Sequence, residues 1–195
     1  MFKVGITGGI GSGKSTICNF FSLKGIPVFN ADLEAKRIMN SSSLVRSQMM
    51  LHFGNDIYLA NQQVDRQKLA ALIFNSEPLL QKVNAIVHPA VRNYFFEWCQ
   101  NQQAPYVVHE AAILFESGFY NMMDYTILVT APEQQRIDRV IQRDHSTREQ
   151  VKERIAKQWP DEEKMKLANT TINNNNRELI LPVLIELDQK FRTHG

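Results

Sequence analysis

The alternation of short apolar runs with apolar helical faces predicts a parallel α/β fold. An apolar segment at 2–7 leads into a glycine-rich turn, after which Ile17, Phe20 and Phe21 recur on one helical face. Gly25 stands where a helix is expected to end, and residues 27–29 are typical of a second strand. The order strand, loop, helix and strand is the βαβ unit of a parallel sheet.

Strand signals become sparse between residues 31 and 103, and helical spacing replaces them. Apolar positions recur behind Asp65, a candidate helix cap, and again through residues 83–98. His88 and Pro89 are expected to interrupt the helical pattern in this second stretch, because proline disfavours a helix interior. We therefore predict a mostly helical insertion at 31–103.

The remaining third of the chain returns to alternating strands and helices. Strands are predicted at 106–108, 125–129 and 170–172, and helices at 132–143, 147–158 and about 178–191. The fold class expected from this order is an α/β P-loop NTPase fold with a five-stranded, mostly parallel sheet flanked by helices. Within one domain, residues 1–30 and 104–195 form the predicted nucleotide-binding core.

Composition and charge narrow the functional class only slightly. The 195 residues are 44% hydrophobic and 22% charged, which is typical of one soluble globular domain, and the net charge of +2 gives no argument for nucleic-acid binding. Cys18 and Cys99 lack the spacing of a disulfide framework or a zinc site. No signal-like or membrane-spanning segment is evident, so we expect a cytoplasmic protein with no membrane partner, and its oligomeric state stays open.

The strongest chemical signal is a phosphate-binding loop at residues 8–15, which read GGIGSGKS and fit GxxxxGK[ST]. Glycines at 8, 11 and 13 let backbone N–H groups approach phosphate oxygens, and the following helix directs its positive end at the anion. Lys14 is expected to reach the β- and γ-phosphates, and the Ser15 hydroxyl to bind magnesium. The loop predicts a phosphotransferase that uses MgATP.

Asp32 follows the second predicted strand, at the edge of the sheet where ligands of parallel α/β proteins gather. Its carboxylate could accept a proton from an acceptor hydroxyl or organise magnesium through water. An ordinary residue of a helix start is an equally good interpretation.

Other charged residues leave alternatives open. Arg136, Arg139 and Arg143 share a helical face, either as a clamp for transferring charge or as a solvated surface. Glu110 and Glu116 both follow the third strand, and spacing alone does not say which of them organises the metal. A lone histidine such as His88 is usually structural.

The motifs resemble those of one family, the dephospho-coenzyme A kinases, over nearly the whole chain. Besides the loop, Ala31-Asp32 is similar to the family's Asp-Ala-Asp segment, and residues 113–116 (ILFE) are similar to its LLFE-like stretch. Further matching positions are Phe53-Gly54, Asp65-Arg66, His88-Pro89, Gln135, Arg139, Arg143, Gln158 and Asn174. Regulatory GTPases are disfavoured, because their Asn-Lys-x-Asp and Asp-x-x-Gly motifs are absent from the sequence.

Three positions depart from the family pattern. Asn30 stands where the family has its first aspartate, Ala112 replaces a usual proline, and Asn169 follows Ala168 where an Ala-Asp pair is usual. Asp32 is retained, so the candidate base survives, and the missing carboxylate at position 30 raises a question about how magnesium is tuned.

The resemblance implies phosphorylation of the ribose 3′-hydroxyl of dephospho-coenzyme A by ATP with Mg²⁺. Asp32, Lys14, Arg139 and Arg143 would be catalytic, and Ser15 and Asp32, the latter through water, would bind the metal. A lid at about 132–165 would carry the arginines, and the insertion at 31–103 would bind the acceptor. The implied ATP-binding residues are Gly9, Gly11, Ser12, Gly13, Lys14, Ser15, Thr16, Arg139 and Asn174; the implied acceptor-binding residues are Thr7, Asp32, Arg66, His88, Ile113 and Leu114.

Two other functions remain open from the residues alone. A nucleoside or nucleoside-monophosphate kinase would share the loop but prefer a free nucleotide as the acceptor. A P-loop protein that binds nucleotide without transferring phosphate would have little reason to keep the helical insertion together with the arginines.

Overall fold

The centre of the fold is a parallel sheet, seen in a computed structural model that describes residues 1–74 and 76–194. Within those residues the sheet has five strands in the order β2-β3-β1-β4-β5, and every neighbouring pair is parallel. The predicted α/β fold with a five-stranded sheet is thereby confirmed. The strands are β1 (Phe2–Gly8), β2 (Val28–Asn30), β3 (Tyr106–Glu110), β4 (Tyr125–Thr130) and β5 (Thr170–Asn173).

The three central strands, β3, β1 and β4, are buried because helices cover the sheet. All five residues of β3 are buried, as are the last five residues of β1 and of β4. Val4, Ile6 and Val108 of the sheet share one core cluster with Ile17 and Phe21 of the first helix. Continuous burial of this kind is what a parallel sheet requires, since crossover helices remove its faces from water.

Contacts divide the chain into two compact units, Met1–Asn30 with Asn101–Gly195, and Ala31–Gln100. The first unit contains the sheet, and the second is helical. In chain order the helices are α1 (Lys14–Leu23), α2 (Ala31–Ser41), α3 (Ser43–Phe53), α4 (Arg66–Phe74), α5 (Glu77–Gln100), α6 (Glu133–Asp144), α7 (Arg148–Ala156), α8 (Asp161–Met165) and α9 (Leu181–Arg192).

The expected interruption at His88 and Pro89 is wrong, because α5 runs without a break through Pro89. A proline inside a helix costs about 3 kcal/mol through its lost hydrogen bond and ring clash. In this helix Val83, Val87 and Val91 are buried in succession, and α2, α3 and α4 all pack against α5. We infer that this packing offsets the local cost of the proline.

Other boundaries differ by a few residues from the sequence prediction. The final helix begins at Leu181, with Pro182 in its first turn, instead of near residue 178. The side chain of Asp65 caps α4 as expected, since its Oδ1 accepts the Lys68 N–H at 3.0 Å. Among the helices that the structure describes, none is both long and apolar enough to cross a bilayer.

Candidate active site

The glycine-rich loop connects the end of β1 with the start of α1, the position that phosphate binding requires. Gly11 and Gly13 have φ angles of 78° and 97°, in the left-handed region that favours glycine. A Cβ on Gly11 would also lie 2.4 Å from the Arg136 carbonyl oxygen, and one on Gly13 would displace the Asn174 side chain. Backbone conformation therefore favours glycine at both positions, and packing against the Arg136 backbone excludes a side chain at Gly11.

The loop amides fall into two groups. The amides of Ile10, Ser12 and Thr16 donate inside the protein, to Gln158 Oε1 and to the carbonyl oxygens of Gly9 and Gly13. The N–H groups of Gly11 and Gly13 have no hydrogen-bond partner among residues 1–74 and 76–194. Two donors at the start of a helix are thus available to an anion, while the Ile10 amide is already engaged.

Lys14 closes over the loop. Its Nζ donates to the carbonyl oxygens of Gly8 at 2.8 Å and Gly9 at 3.4 Å, so its ammonium group lies beside the loop. This is the position from which a lysine can exchange carbonyl oxygens for phosphate oxygens.

Glu110 lies at the loop, and Glu116 does not. The Ser15 hydroxyl donates to Glu110 Oε1 at 2.9 Å, and Asn30 Nδ2 donates to Glu110 Oε2 at 3.0 Å. The strand register explains the second contact, because Asn30 of β2 pairs with Glu110 of β3. Glu116 instead pairs with the fully buried Lys164 at 2.9 Å.

The oxygen atoms of Ser15 and Glu110 fit Mg²⁺, which prefers oxygen ligands and usually keeps several waters beside phosphate. Across the described part of the chain, no cluster of three or more His, Cys, Asp or Glu side chains could hold a metal alone. The pair therefore suits an ion whose remaining ligands come from ATP phosphate and water. Asn30, which stands at the position of the family's first aspartate, donates its amide N–H to the Glu110 carboxylate.

The three arginines of α6 have different partners. Arg136 is 7% exposed, donates to the Ile10 carbonyl and pairs with Asp161. Arg139 is half-buried and donates to the carbonyl oxygens of Gly11 and Ser12 at 3.3 and 3.4 Å. Arg143 is exposed and pairs with Asp144, whose pKa it helps lower to about 2. Helical spacing placed the three arginines on one face, but in the structure each of them contacts different residues.

The asparagine run at 173–176, which the sequence pattern leaves unexplained, borders the loop. Asn174 Nδ2 donates to the Ser12 carbonyl at 2.9 Å, and the Asn174 carbonyl accepts from Arg139 at 3.0 Å. Arg139 also donates to Asn176 Oδ1 at 2.8 Å. From the sequence, only the family match at Asn174 indicated that this run lies near the loop. Its position depends on the pairing of β5 with β4 in the sheet, which no local pattern encodes.

The helical unit holds three of the predicted residues. Asp32 is exposed in the first turn of α2, and Arg66 is exposed at the start of α4. His88 is half-buried in α5, and burial, with a smaller effect of Arg92, lowers its pKa. His88 is therefore neutral at neutral pH and can both donate and accept a hydrogen bond.

Of the acceptor residues predicted in the sheet unit, Leu114 and Thr7 are completely buried and Ile113 is half-buried. The Leu114 side chain packs closely enough that a Cβ on Gly5 would lie 2.7 Å from Leu114 Cδ2. Thr7 is also buried, but its Oγ1 has no hydrogen-bond partner among the described residues, which leaves a hydroxyl to satisfy near the loop.

His109 makes the fold sensitive to acid. It is 1% exposed between the rings of Phe29 and Phe119, whose centroids lie 5.5 and 4.8 Å away. Burial lowers its pKa to about 3, so between the ordinary histidine pKa and this value only the unfolded chain takes up the proton. We expect the free energy of unfolding to fall by about 2 kcal/mol from about pH 7.5 to about pH 5 on this account.

Urea unfolding of wild type and His109→Gln at both pH values measures this contribution. The variant is expected to be less stable at neutral pH, because it loses ring packing, but to lose less stability on acidification. Equal losses on acidification in the two proteins would show that His109 is not the acid-sensitive group.

A central parallel strand that ends in this loop, with a lysine above it and a Ser–Glu pair beside it, defines a P-loop nucleotide-binding protein. Comparisons identify the family. A family model described as Dephospho-CoA kinase matches residues 2–179. A protein of Porphyromonas gingivalis named Dephospho-CoA kinase is 38% identical over 194 residues, covering 99% of this chain and 96% of that protein. The chain therefore belongs to the dephospho-CoA kinase family, and it is an ATP-dependent kinase.

Two solved structures are similar in fold. The crystal structure of TT1252 from Thermus thermophilus is 33% identical with a TM-score of 0.81, covering 97% of this chain and 95% of that one. Shikimate kinase from Acinetobacter baumannii is similar in fold alone, at 12% identity and a TM-score of 0.50, covering 100% and 95% of the chains. The predicted family and P-loop kinase fold are confirmed.

Proposed function

We propose that this kinase transfers the γ-phosphoryl group of ATP to the ribose 3′-hydroxyl of dephospho-coenzyme A, giving coenzyme A and ADP. This is the last step of coenzyme A synthesis. The observation that carries the proposal is the loop between β1 and α1 in a chain of this family. Its Gly11 and Gly13 amides have no hydrogen-bond partner in the described part of the chain, and Ser15 lies beside Glu110.

The nucleotide phosphates would lie against the loop. The Gly11 and Gly13 amides are donors without a partner among residues 1–74 and 76–194, and Lys14 would exchange its bonds to loop carbonyls for bonds to phosphate. Arg139 and Asn174 both donate to the Ser12 carbonyl of the same segment, which supports the proposal that they bind the nucleotide. The remaining residues proposed to line this site are Gly9, Ser12, Ser15 and Thr16.

Ser15 and Glu110 would hold Mg²⁺, with Asp32 contributing through water. When bound, the ion neutralises charge on the β- and γ-phosphates. The chain's own part is to present the oxygen atoms, and Asn30 fixes the Glu110 carboxylate for this purpose by donating to its second oxygen.

Asp32 would accept the proton of the attacking hydroxyl. Its carboxylate is exposed at the start of α2, and it follows Asn30 of β2 by two residues. The residues proposed to hold the acceptor, besides Asp32, are Arg66, His88, Ile113, Leu114 and Thr7. The helical unit as a whole is proposed to form the acceptor subdomain.

The segment of about 132–165, which contains α6, α7 and α8, is proposed as the lid. Arg143 is its candidate for contacting transferring charge, because its pair with Asp144 is exposed and such pairs contribute little to stability. The guanidinium is therefore readily released to a phosphate. Closure of such a segment would exclude water from the reaction.

Glu110→Gln and Glu116→Gln should separate catalysis from stability. Glu110→Gln removes the charge beside Ser15, so we expect a higher Mg²⁺ requirement and at least about a tenfold lower kcat with little change in melting temperature. Glu116→Gln leaves the buried Lys164 without its partner charge, so we expect a loss of about 3 kcal/mol in unfolding free energy.

Magnesium titrations of initial rate, together with thermal melts, compare the two variants directly. An unchanged Mg²⁺ requirement in Glu110→Gln, or a raised requirement in Glu116→Gln, would contradict the assignment of Glu110 to the metal.

The substrate is tested by measuring ADP release from ATP with dephospho-coenzyme A, adenosine, AMP and CMP in parallel. The proposal predicts turnover with dephospho-coenzyme A and none with the other three. Turnover with a nucleoside or monophosphate instead would indicate a different small-molecule kinase. Tight ATP binding without turnover on any acceptor would favour a nucleotide-binding protein that does not transfer phosphate.

The proposed location is the cytoplasm. Both ATP and a reducing environment are available there, and Cys18 and Cys99 are both thiols.

A further inference from the structure

Ile10, at the start of the phosphate-binding loop, is held on three sides by residues far along the chain. Gln158 Oε1 accepts its N–H at 2.8 Å, and Arg136 Nε donates to its carbonyl oxygen at 3.0 Å. Its side chain packs against the apolar cluster that Val140 of α6 and Val151 of α7 share. Both backbone groups and the side chain of one loop residue are therefore fixed.

The two polar side chains that hold Ile10 are themselves anchored. Gln158 Nε2 donates to the Ala112 carbonyl at 3.2 Å, just beyond β3. Arg136 is 7% exposed and pairs with Asp161 of α8 at 3.3 Å. The guanidinium also lies against Gly9, where an added Cβ would come within 2.2 Å of it. The loop is thus tied to both α6 and the segment that follows α7.

This arrangement gives Arg136 a role different from a charge clamp. The buried Arg136 guanidinium donates to the Ile10 carbonyl of the loop and pairs with Asp161. Because these partners are protein atoms, the guanidinium stabilises the loop itself. Gln158 likewise accepts the hydrogen bond of the Ile10 N–H, so this amide is not available to bind a ligand. Neither side chain needs to touch the nucleotide to influence how well the neighbouring amides bind it.

We propose that Arg136 and Gln158 are positioning residues that hold the phosphate-binding loop in its binding conformation before ATP arrives. Fixing the backbone of a residue costs conformational entropy, and a loop that is already ordered does not incur that cost when it binds. The proposal rests on the proposed function only in requiring that ATP binds at this loop.

Because α6 and α7 belong to the proposed lid, the same contacts link the lid segment to the loop through Ile10. The side chains also border a cavity of about 530 Å³, lined in part by Arg136, Gln158 and Trp159. Substitutions there have adjacent space, so they need not displace the packing of the sheet.

The test compares Gln158→Leu, Arg136→Lys and the surface control Glu162→Gln, which changes an exposed residue of α8. Gln158→Leu removes both amide bonds, and Arg136→Lys keeps the charge but loses the planar group that bonds Ile10 and Asp161 together. ATP affinity is measured calorimetrically without acceptor, and kcat and KM are measured with dephospho-coenzyme A. Each hydrogen bond contributes modestly, so a three- to tenfold change is about the expected size.

We expect ATP Kd and KM to rise about three- to tenfold in Gln158→Leu and Arg136→Lys, with kcat at saturating ATP within about twofold of wild type. Glu162→Gln should match wild type in every value. Unchanged ATP Kd in both variants, with only a lower melting temperature, would overturn the proposal by showing a purely structural role. If dephospho-coenzyme A is not phosphorylated at all, the calorimetric Kd still decides the matter.

Amide hydrogen exchange on nucleotide-free wild-type protein tests the same idea without any substitution. The Ile10 amide is expected to be protected before ATP is added, and to lose that protection in Gln158→Leu. Free exchange at Ile10 in the wild-type protein, followed by protection only after ATP binds, would contradict a loop that is ordered in advance.

Discussion

Asp32→Asn is expected to lower kcat by about 100- to 10,000-fold, the contribution typical of a positioned general base. The substitution keeps the size and hydrogen-bonding ability of the side chain but removes its capacity to accept the hydroxyl proton. Asp32 is exposed at the start of α2, so the change should leave the melting temperature and ATP affinity close to wild type. Single-turnover rates at saturating ATP and acceptor measure the effect on chemistry.

Glu34→Gln is the matched control, because Glu34 is another carboxylate in the first turn of α2. It pairs with Arg37 on the surface, and its loss should leave kcat within about twofold of wild type, since such pairs contribute little. Asp32→Asn with a rate similar to that of this control would remove Asp32 from the role of base.

Lys14→Ala is expected to lower kcat/KM by about 100- to 1,000-fold, the effect of removing one preorganised group that stabilises charge in the transition state. The ammonium group lies 2.8 Å from the Gly8 carbonyl oxygen. Because Lys14 would stabilise negative charge that develops on the phosphate oxygens in the transition state, the loss should fall on kcat more than on ATP affinity.

Lys24→Ala removes an exposed lysine just after the same helix and serves as the control. Initial rates over a range of ATP concentrations, with circular dichroism to verify folding, compare the two variants. A folded Lys14→Ala protein with the control's kcat/KM would contradict the proposed role of the loop in catalysis.

The parts of this protein that were predictable from sequence are those coded by neighbouring residues. The bounds of helix α1, Lys14–Leu23, follow from signals that are close together in sequence. These are the glycine-rich loop before the helix, the apolar spacing of Ile17 and Phe21 within it, and Gly25 after it. Strand β1 and the phosphate-binding motif follow from the same local pattern. Local rules also misled once: Pro89 argued for a break in α5, and tertiary packing kept the helix intact.

The details of the site depend on contacts that no local pattern encodes. Gln158 and Ile10 are 148 residues apart in sequence, and Asn174 and Ser12 are 162 apart, so their bonds follow from strand order. The choice between Glu110 and Glu116 required the β2–β3 register, which sets Asn30 beside Glu110. The complete burial of Leu114, which the resemblance places among the acceptor-binding residues, is likewise a property of the folded chain.

The most direct test of the central claim is to follow an isotopically labelled γ-phosphoryl group from ATP, with dephospho-coenzyme A as the acceptor. Product analysis by mass spectrometry and fragmentation should find the label as a single phosphoryl group on the ribose 3′-oxygen. Lys14→Ala under the same conditions should form almost none of this product. Label recovered only as inorganic phosphate, or on another position or acceptor, would contradict the proposed reaction.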